Sequence, residues 1–539
     1  MRKTVGHGNI VCTGSDYAEA GSDGQFAWVK PEQSHTLASL SLAKSLTGGP
    51  APRAFDYMFD GDGLEEDADA FAKLGEVGRA MVVDGQLIGP TGQPAILTYF
   101  GQFIDHDITL NTDRDPESLP AFSIANEDGS LTRNTRADVT STLANGRNAS
   151  LRLDSLYGDA SQVEQLLRDG AKMKIGQTAA GAPFDLPRMG DLPADLPDDH
   201  PLKGKDVRLA LIGDDRNDEN LVVAQLHLAF LRFHNAVVDT LDAALSEDEK
   251  FAEARRLTTL VYQHLVLTEF CGALCDPDIM ADALSAPFAD RYRAFSDGAH
   301  KMPLEFSVAA FRFGHSMIRP LYRFNDTFPE ATLAELFAFT GGGKLGDIGL
   351  DRLVDVWVID WENFLPPDDP ERAAKGITPD IAEGLDQLPL APGLSPAVEE
   401  ALRVLPVRNL RRSYVLAIPT AQQVLGALGN PAMFEQLSDE TLRSWSGGLL
   451  EEKGYLHHTP LWFYILLEAE KQPGAGGSRL GKLGSFIVAQ TLVGLMAEDP
   501  ESILFKGTDP QTPWTPDLEP IGGQIISTLR DMLTFAGVL

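Results

Sequence analysis

Apolar residues recur at helical spacing along most of this chain, and strict apolar–polar alternation is scarce. Between Asp218 and about Leu245, Leu221, Ala224, Leu228, Leu231 and Val238 fall on one face, which predicts a long helix. A second long helix follows from Glu247 to about Leu274, and others are predicted at 161–168, 304–318, 396–405, 431–446, 459–471 and 479–496. The most informative stretch is Leu97 to Thr109, read as a helix over about 94–107. Its aromatic and aliphatic residues (Phe100, Phe103, Ile104, Ile108) call for burial, yet it also carries Gln102, Asp105, His106 and Asp107. Gln102 and His106 are i and i+4 and share a face, Asp105 edges it, and Asp107 points elsewhere. Buried polar groups need partners, so this face suits either a buried ligand or a core histidine satisfied by neighbouring carboxylates.

Between the periodic segments lie polar ones. Residues 1 to about 85 are rich in Gly, Ser, Asp and Ala and read as an irregular lead-in or wrapping arm. Asn111–Asn148, Gln177–Gly204 and Asn363–Ser395 read as long loops, the last wrapping the surface. There is no internal repeat. The fold class that follows is mainly α with little β: one large domain of many helices over 86–539, joined by long loops.

Composition narrows the function. With 78 Asp plus Glu against 45 Lys plus Arg, the 539-residue chain carries a formal charge of −33, which disfavours nucleic acid and anionic membranes as partners. Three cysteines, Cys12, Cys271 and Cys275, form no disulfide framework and match neither a C-x-x-C redox pair nor a C-x-x-C-H haem attachment site. No charge-free apolar run is long enough to span a bilayer, and the two basic residues near Met1 precede no apolar segment. The expectation is a soluble protein, cytoplasmic or exported without a classical signal.

Three further clusters carry chemistry. Gly213-Asp214-Asp215-Arg216-Asn217-Asp218-Glu219 precedes the long helix and reads as a capped helix start with an ion pair. Phe311-Arg312-Phe313-Gly314-His315-Ser316 sets a histidine behind a glycine, where a flat ligand could approach closely. Arg408, Arg411 and Arg412, around Asn409, suit an anionic ligand or ion pairs with the surplus carboxylates. His227, His234, His457 and His458, on or near apolar helices, read as structural.

Together these stretches resemble the animal-type haem peroxidases of the peroxidase–cyclooxygenase superfamily, in the form found in bacterial members, over about residues 90–500. The motifs stand in family order: Gly-Gln-Phe-x-Asp-His-Asp from Gly101, Gly-Asp-x-Arg-x-x-Glu from Gly213, Leu-His-x-x-Phe-x-Arg-x-His-Asn from Leu226, Phe-Arg-Phe-Gly-His-Ser from Phe311 and Arg-Asn-Leu-Arg-Arg from Arg408. The resemblance implies haem b, with His106 as distal histidine, His315 as proximal iron ligand, Arg216 as distal catalytic arginine and Gln102 as the distal amide that orders water. Asn409 would accept the second ring N–H of His315, and Arg312 and Arg412 would pair with the haem propionates. Asp105 and Glu219 match carboxylates that form ester bonds to haem. Asn220 stands where one branch has a methionine that makes a third link.

The implied activity is reduction of hydrogen peroxide through an oxyferryl intermediate, coupled to oxidation of halide, thiocyanate or small aromatic donors. A lipid dioxygenase or peroxygenase of the same superfamily is the alternative, but Arg312 stands three before His315, where the oxygenases carry a radical-forming tyrosine. A non-catalytic haem-binding or adhesion module would lack His106, Arg216 or His315, all of which are present. A metallohydrolase built on His106, Asp105 and Asp107 fails because adjacent residues of one helix do not converge on one ion. The family also implies a calcium ion on Asp107 and Asp154. Arg152 stands where an acid is usual, so either a salt bridge to Asp107 replaces the ion or Asn148 and Ser150 supply oxygens.

Overall fold

The computed structural model describes residues 17–20, 26–29 and 53–539, except 84–91, 114–122, 127, 129, 159–160, 194–201, 341–349, 367–369, 389–395, 430–431 and 509–511. Cys12 and most of the expected lead-in lie outside the described residues. Helices dominate. Those used below are α1 (Ala70–Ala80), α2 (Ile96–Ile108), α3 (Leu221–Thr240), α4 (Glu247–Leu265), α5 (Leu405–Val415), α6 (Leu461–Lys471) and α7 (Lys482–Glu498). Strand is confined to short pieces. The largest sheet orders 111–113, 143–145, 53–56 and 302–303 side by side, antiparallel except for the last pair.

α3 starts where Asn220 accepts Val223 N–H and packs on both α2 and α4. Phe100 and Phe103 of α2 stack on Phe230 of α3, with centroids 6.3 and 4.9 Å apart. Leu221–Thr240 is long and apolar enough to cross a membrane by length and composition, but 83% of its apolar window is buried inside the protein, as a core helix should be. The helix expected over 247–274 is one continuous rod, but its last third is wound as a π-turn, Val266–Cys271. The helix expected over 304–318 is likewise irregular: a π-turn at Glu305–Ala309 runs into 3₁₀ winding at Ala310–Met317.

Two expectations change. Asn363–Ser395 does not simply wrap the surface, because Ala374, Ile377, Ile381 and Leu385 turn inward. Its backbone amides are met there by Gln93, Met317, Gly477 and Met81 carbonyls. The 431–446 helix shrinks to Asp439–Ser444, opened by a Ser438 cap. Cys271 and Cys275 are buried free thiols. His457 and His458 are exposed rather than part of the core, whereas His234 is structural as expected: Nε2 meets Ala171 O and Nδ1 meets the Tyr157 hydroxyl, both at 3.0 Å.

The described part of the N-terminal segment is built into the same core. Glu305 accepts Met58 and Phe59 N–H at 3.0 and 3.1 Å, and α1 lies along α5. Gly75 and Gly78 permit that approach: a Cβ at Gly78 would stand 2.7 Å from Val407 N, and one at Gly75 2.7 Å from the Arg411 guanidinium. Gly78→Val therefore forces α1 off α5. We expect a loss of about 1–3 kcal/mol, typical of overpacking, read as a lower denaturation midpoint.

Candidate active site

A cavity lies between α2 and the 305–317 segment. Leu97, Gln102 and Asp105 line it from α2; Arg312, Gly314 and His315 line it from the other side, with Phe270, Phe311 and Phe313 as apolar walls. A Cβ at Gly314 would meet nothing within 4 Å, so the backbone before His315 borders open space. The walls are flat and apolar, with polar groups only at defined points.

His106, on the buried face of α2, has no exposed surface. Its Nδ1 lies 2.9 Å from Asn217 Oδ1, which can only accept, so the ring proton sits on Nδ1 and Nε2 keeps its lone pair. The same amide donates to His227 Nδ1 at 3.0 Å, which fixes its orientation. Burial, then the nearby Arg216 charge, lowers the His106 pKa to about 3, so the ring is neutral. Glu219 Oε1 stands 3.6 Å from Nε2 and accepts from Gln102 Nε2, while Asn220 Nδ2 donates to Gln102 Oε1 at 2.9 Å. Gln102 is thus gripped at both ends.

Arg216 sits on the turn Asp214 begins. Its Nη2 donates to His106 O and Thr109 O at 3.1 and 2.6 Å and pairs with Asp214 at 2.6 Å. Buried Nη1 has no hydrogen-bond partner among the described residues. Burial raises the Asp214 pKa, but Arg147 and Arg216 together hold it well below the usual carboxylate range. Gly213 allows the turn to reach the loop: a Cβ there would lie 2.6 Å from Ser155 O. Asp105 is half-buried, accepts the Thr109 hydroxyl at 2.9 Å and has its pKa raised by desolvation against the pull of Arg216 and Arg312.

Across the cavity, burial, then Arg312 and Arg408, push the His315 pKa well below its ordinary value. Trp462 packs edge-on to the ring at 6.3 Å. Asn409 reaches His315 Nδ1 at 2.9 Å, but with its amide nitrogen, because Arg312 Nη1 claims Oδ1 at 2.9 Å. The expectation that Asn409 accepts the ring N–H is therefore corrected: here the amide donates. Arg412 is buried on α5 and is not among the residues lining the cavity. Arg408, one turn earlier, is the α5 cation felt by His315. Asn217, Asp214, Arg147 and Arg408 were not singled out from sequence. Asn217 and Asp214 lay inside a noted motif, and Arg408 among three arginines.

Both Asp107 oxygens accept backbone N–H, from Leu153 and Ser155 at 3.1 Å, and Asp154 faces Arg255 at 3.9 Å. Among the described residues no group of three or more His, Cys, Asp or Glu stands together, so a calcium ion on Asp107 and Asp154 would draw on backbone and hydroxyl oxygens as well. The salt bridge from Arg152 to Asp107 does not form, since Arg152 pairs with Asp499.

The family model described as animal haem peroxidase matches residues 76–341. Among curated relatives, a peroxidase-like protein of Margaritifera margaritifera is 28% identical over 264 residues, 42% of this chain and 32% of that protein. Human thyroid peroxidase is 28% identical over 232 residues, 39% of this chain and 24% of that protein. The chain spans well under half the length of these relatives. Among solved structures, peroxidase A from Dictyostelium discoideum shares the fold with TM-score 0.55 at 15% identity, covering 93% of this chain and 99% of that one. A fatty acid alpha-dioxygenase of Oryza sativa aligns with TM-score 0.52 at 15% identity, covering 87% and 79%.

The Asn217 bridge makes a direct prediction. In Asn217→Asp a carboxylate faces Nδ1 and favours the imidazolium, so the His106 pKa should rise by one or more of the roughly 1–3 units typical of a close opposite charge. Ring-carbon NMR shifts followed against pH would show it, and an unmoved titration would refute the pairing.

Proposed function

We propose that this chain, which the animal haem peroxidase family model matches over residues 76–341, reduces hydrogen peroxide at a haem held between α2 and His315. The observation that carries the reading is a neutral His106 with its Nε2 lone pair directed away from the Asn217 bridge, beside a buried Arg216, opposite a second neutral histidine. The residues present fit haem: apolar walls, open space at Gly314, and the Arg312 guanidinium on the wall beside His315.

Haem supplies an iron centre that takes up the two oxidising equivalents of peroxide and passes them to donors. His315 would be its protein ligand through Nε2. Arg312, buried beside it on the cavity wall, would meet a haem carboxylate. Asp105 and Glu219 are the carboxylates that would tether haem covalently.

His106 takes the proton from one peroxide oxygen and returns it to the other as that oxygen leaves, acting as base and then acid. Arg216 Nη1 is a cation fixed in advance for the charge that develops as the O–O bond breaks. Gln102 cannot swing away, being held by Glu219 and Asn220. Donors are halide, thiocyanate or small aromatic molecules. Asn220 is committed to capping α3 and holding Gln102, so no sulfonium link forms there. Arg312 offers no oxidisable group beside His315, which favours peroxidase over lipid oxygenation.

The deciding experiment is the visible spectrum of the haem-loaded protein titrated with hydrogen peroxide: a band that shifts at one equivalent supports the reading, and an inert band overturns it. His315→Ala should lose normal haem ligation, seen as a changed spectrum. His106→Ala should keep the haem but slow the reaction with peroxide about 10²–10⁴-fold, the usual contribution of general acid–base catalysis.

The same rate should depend on pH in a set way. A histidine whose pKa is lowered from 6.5 to about 3 takes up its proton only in strong acid. The rate should hold from neutrality down to about pH 4 and fall below that, whereas an ordinary histidine would lose activity from about pH 6.5 downward.

A further inference from the structure

One side chain lining the cavity has no part in the proton chemistry above. Tyr99 stands one turn before Gln102 on α2 and reaches the cavity wall. It is 2% exposed, and among the described residues its hydroxyl finds no hydrogen bond of ordinary length. Burying a phenol without satisfying it costs free energy that a phenylalanine would not incur. What the phenol has and the phenyl ring lacks is ready one-electron oxidation.

The surroundings give that electron somewhere to come from. Tyr322 packs edge-on to Tyr99, centroids 5.8 Å apart, and the two hydroxyls interact. Tyr322 in turn stacks on Phe364 at 5.8 Å and Phe324 at 6.5 Å, which hold it in place. Its oxygen accepts Arg319 N–H at 3.0 Å, and the Arg319 guanidinium lies 5.4 Å from its ring centroid. The residues just before Tyr322 reach the surface: Arg319 is half-buried, Pro320 is exposed and Leu321 is 43% exposed. No other tyrosine lines the cavity among the described residues. Two phenols in contact thus lead from the cavity wall to the layer beneath the protein surface.

We propose that Tyr99 and Tyr322 form an electron relay through which aromatic donors too large for the cavity are oxidised at the Arg319–Pro320–Leu321 surface. The proposal rests on the peroxidase reading, which supplies the oxidant. Tyr99 gives one electron to the peroxide-oxidised cofactor, and its phenol proton enters the cavity. Tyr322 then gives a hydrogen atom to the Tyr99 phenoxyl, restoring Tyr99 and leaving the radical on Tyr322. A phenolic donor at the surface gives a hydrogen atom to Tyr322 and departs as its own radical. Two such passages deliver the two electrons and two protons that turn one hydrogen peroxide into two waters. The exposed apolar Leu321 and the Arg319 cation together suit an electron-rich aromatic ring.

Electron paramagnetic resonance of the haem-loaded protein after one equivalent of hydrogen peroxide tests this, with Tyr99→Phe and Tyr322→Phe beside it. The expected result is a tyrosyl signal in the parent protein that is lost in Tyr99→Phe. Tyr322→Phe should keep the peroxide-induced spectral shift and the oxidation of a small phenol. It should lose oxidation of the same phenol tethered to a dextran polymer. A spectral shift with no tyrosyl signal overturns the relay and leaves the peroxidase reading intact, as does parent-like oxidation of the tethered phenol by Tyr322→Phe. A haem that ignores peroxide overturns both.

Discussion

Asp214 has no exposed surface, yet it stays ionised because two guanidiniums close on it: Arg147 Nη2 at 2.5 Å and Arg216 Nη2 at 2.6 Å. Removing one partner from such a buried set leaves an uncompensated charge and costs several kcal/mol, about 3–5 in measured cases. The triad is also an anchor. Arg216 carries it to the carbonyls of His106 and Thr109 at the end of α2, where a cation complements the helix dipole. Arg147 carries it to Gly213 O and, through its backbone, to Asn145, whose amide meets Ile108 O. The end of α2, the 143–147 strand and loop, and the turn before α3 are therefore fixed to one carboxylate. The placement of His106, just behind the cavity-lining Gln102 and Asp105, follows from it.

The electrostatics of the cavity are unusual for so acidic a chain. Arg216, Arg312 and Arg408 gather around two carboxylates, Asp105 and Glu219, and two histidines kept neutral. Burial moves each histidine away from its charged form, and the neighbouring guanidiniums reinforce the effect. On each side an asparagine faces Nδ1 but presents a different atom: Asn217 its oxygen to His106, Asn409 its nitrogen to His315. The difference is set by what holds the other end of each amide, His227 in one case and Arg312 in the other. Proton placement on the two rings is thus decided one residue further out.

Much of this was legible in the chain. Helical periodicity located α2, α3, α4, α6 and α7, because these helices bury apolar faces, and the pairing of Gln102 with His106 followed from spacing alone. α5 was seen only as a run of arginines: Val407, Leu410 and Tyr414 fall at helical spacing, but the polar face between them is buried as well, and its arginines drew the reading toward a ligand rather than a helix. Pro406 in its first turn was the available signal. α1 was lost because Gly75 and Gly78 lower helix propensity, although their smallness is what seats the helix against α5. The direction Arg152 would take, toward Asp107 or toward Asp499, depends on a residue nearly 350 positions away, and no local reading reaches that far.

The two π-turns, Val266–Cys271 and Glu305–Ala309, each deliver a side chain to the cavity, Phe270 and Ser307. A π-turn holds one residue more than the α-helical turn it replaces. Excising that residue would let the helix close into a regular spiral and stay helical. Each π-turn remains one full turn, so the surplus residue is absorbed locally and the segment beyond keeps its facing. For the second turn that segment carries Arg312 and His315. A change of length by one at either turn therefore costs the widened backbone beside the cavity, whereas the same change elsewhere in these helices would swing everything beyond round by about 100°.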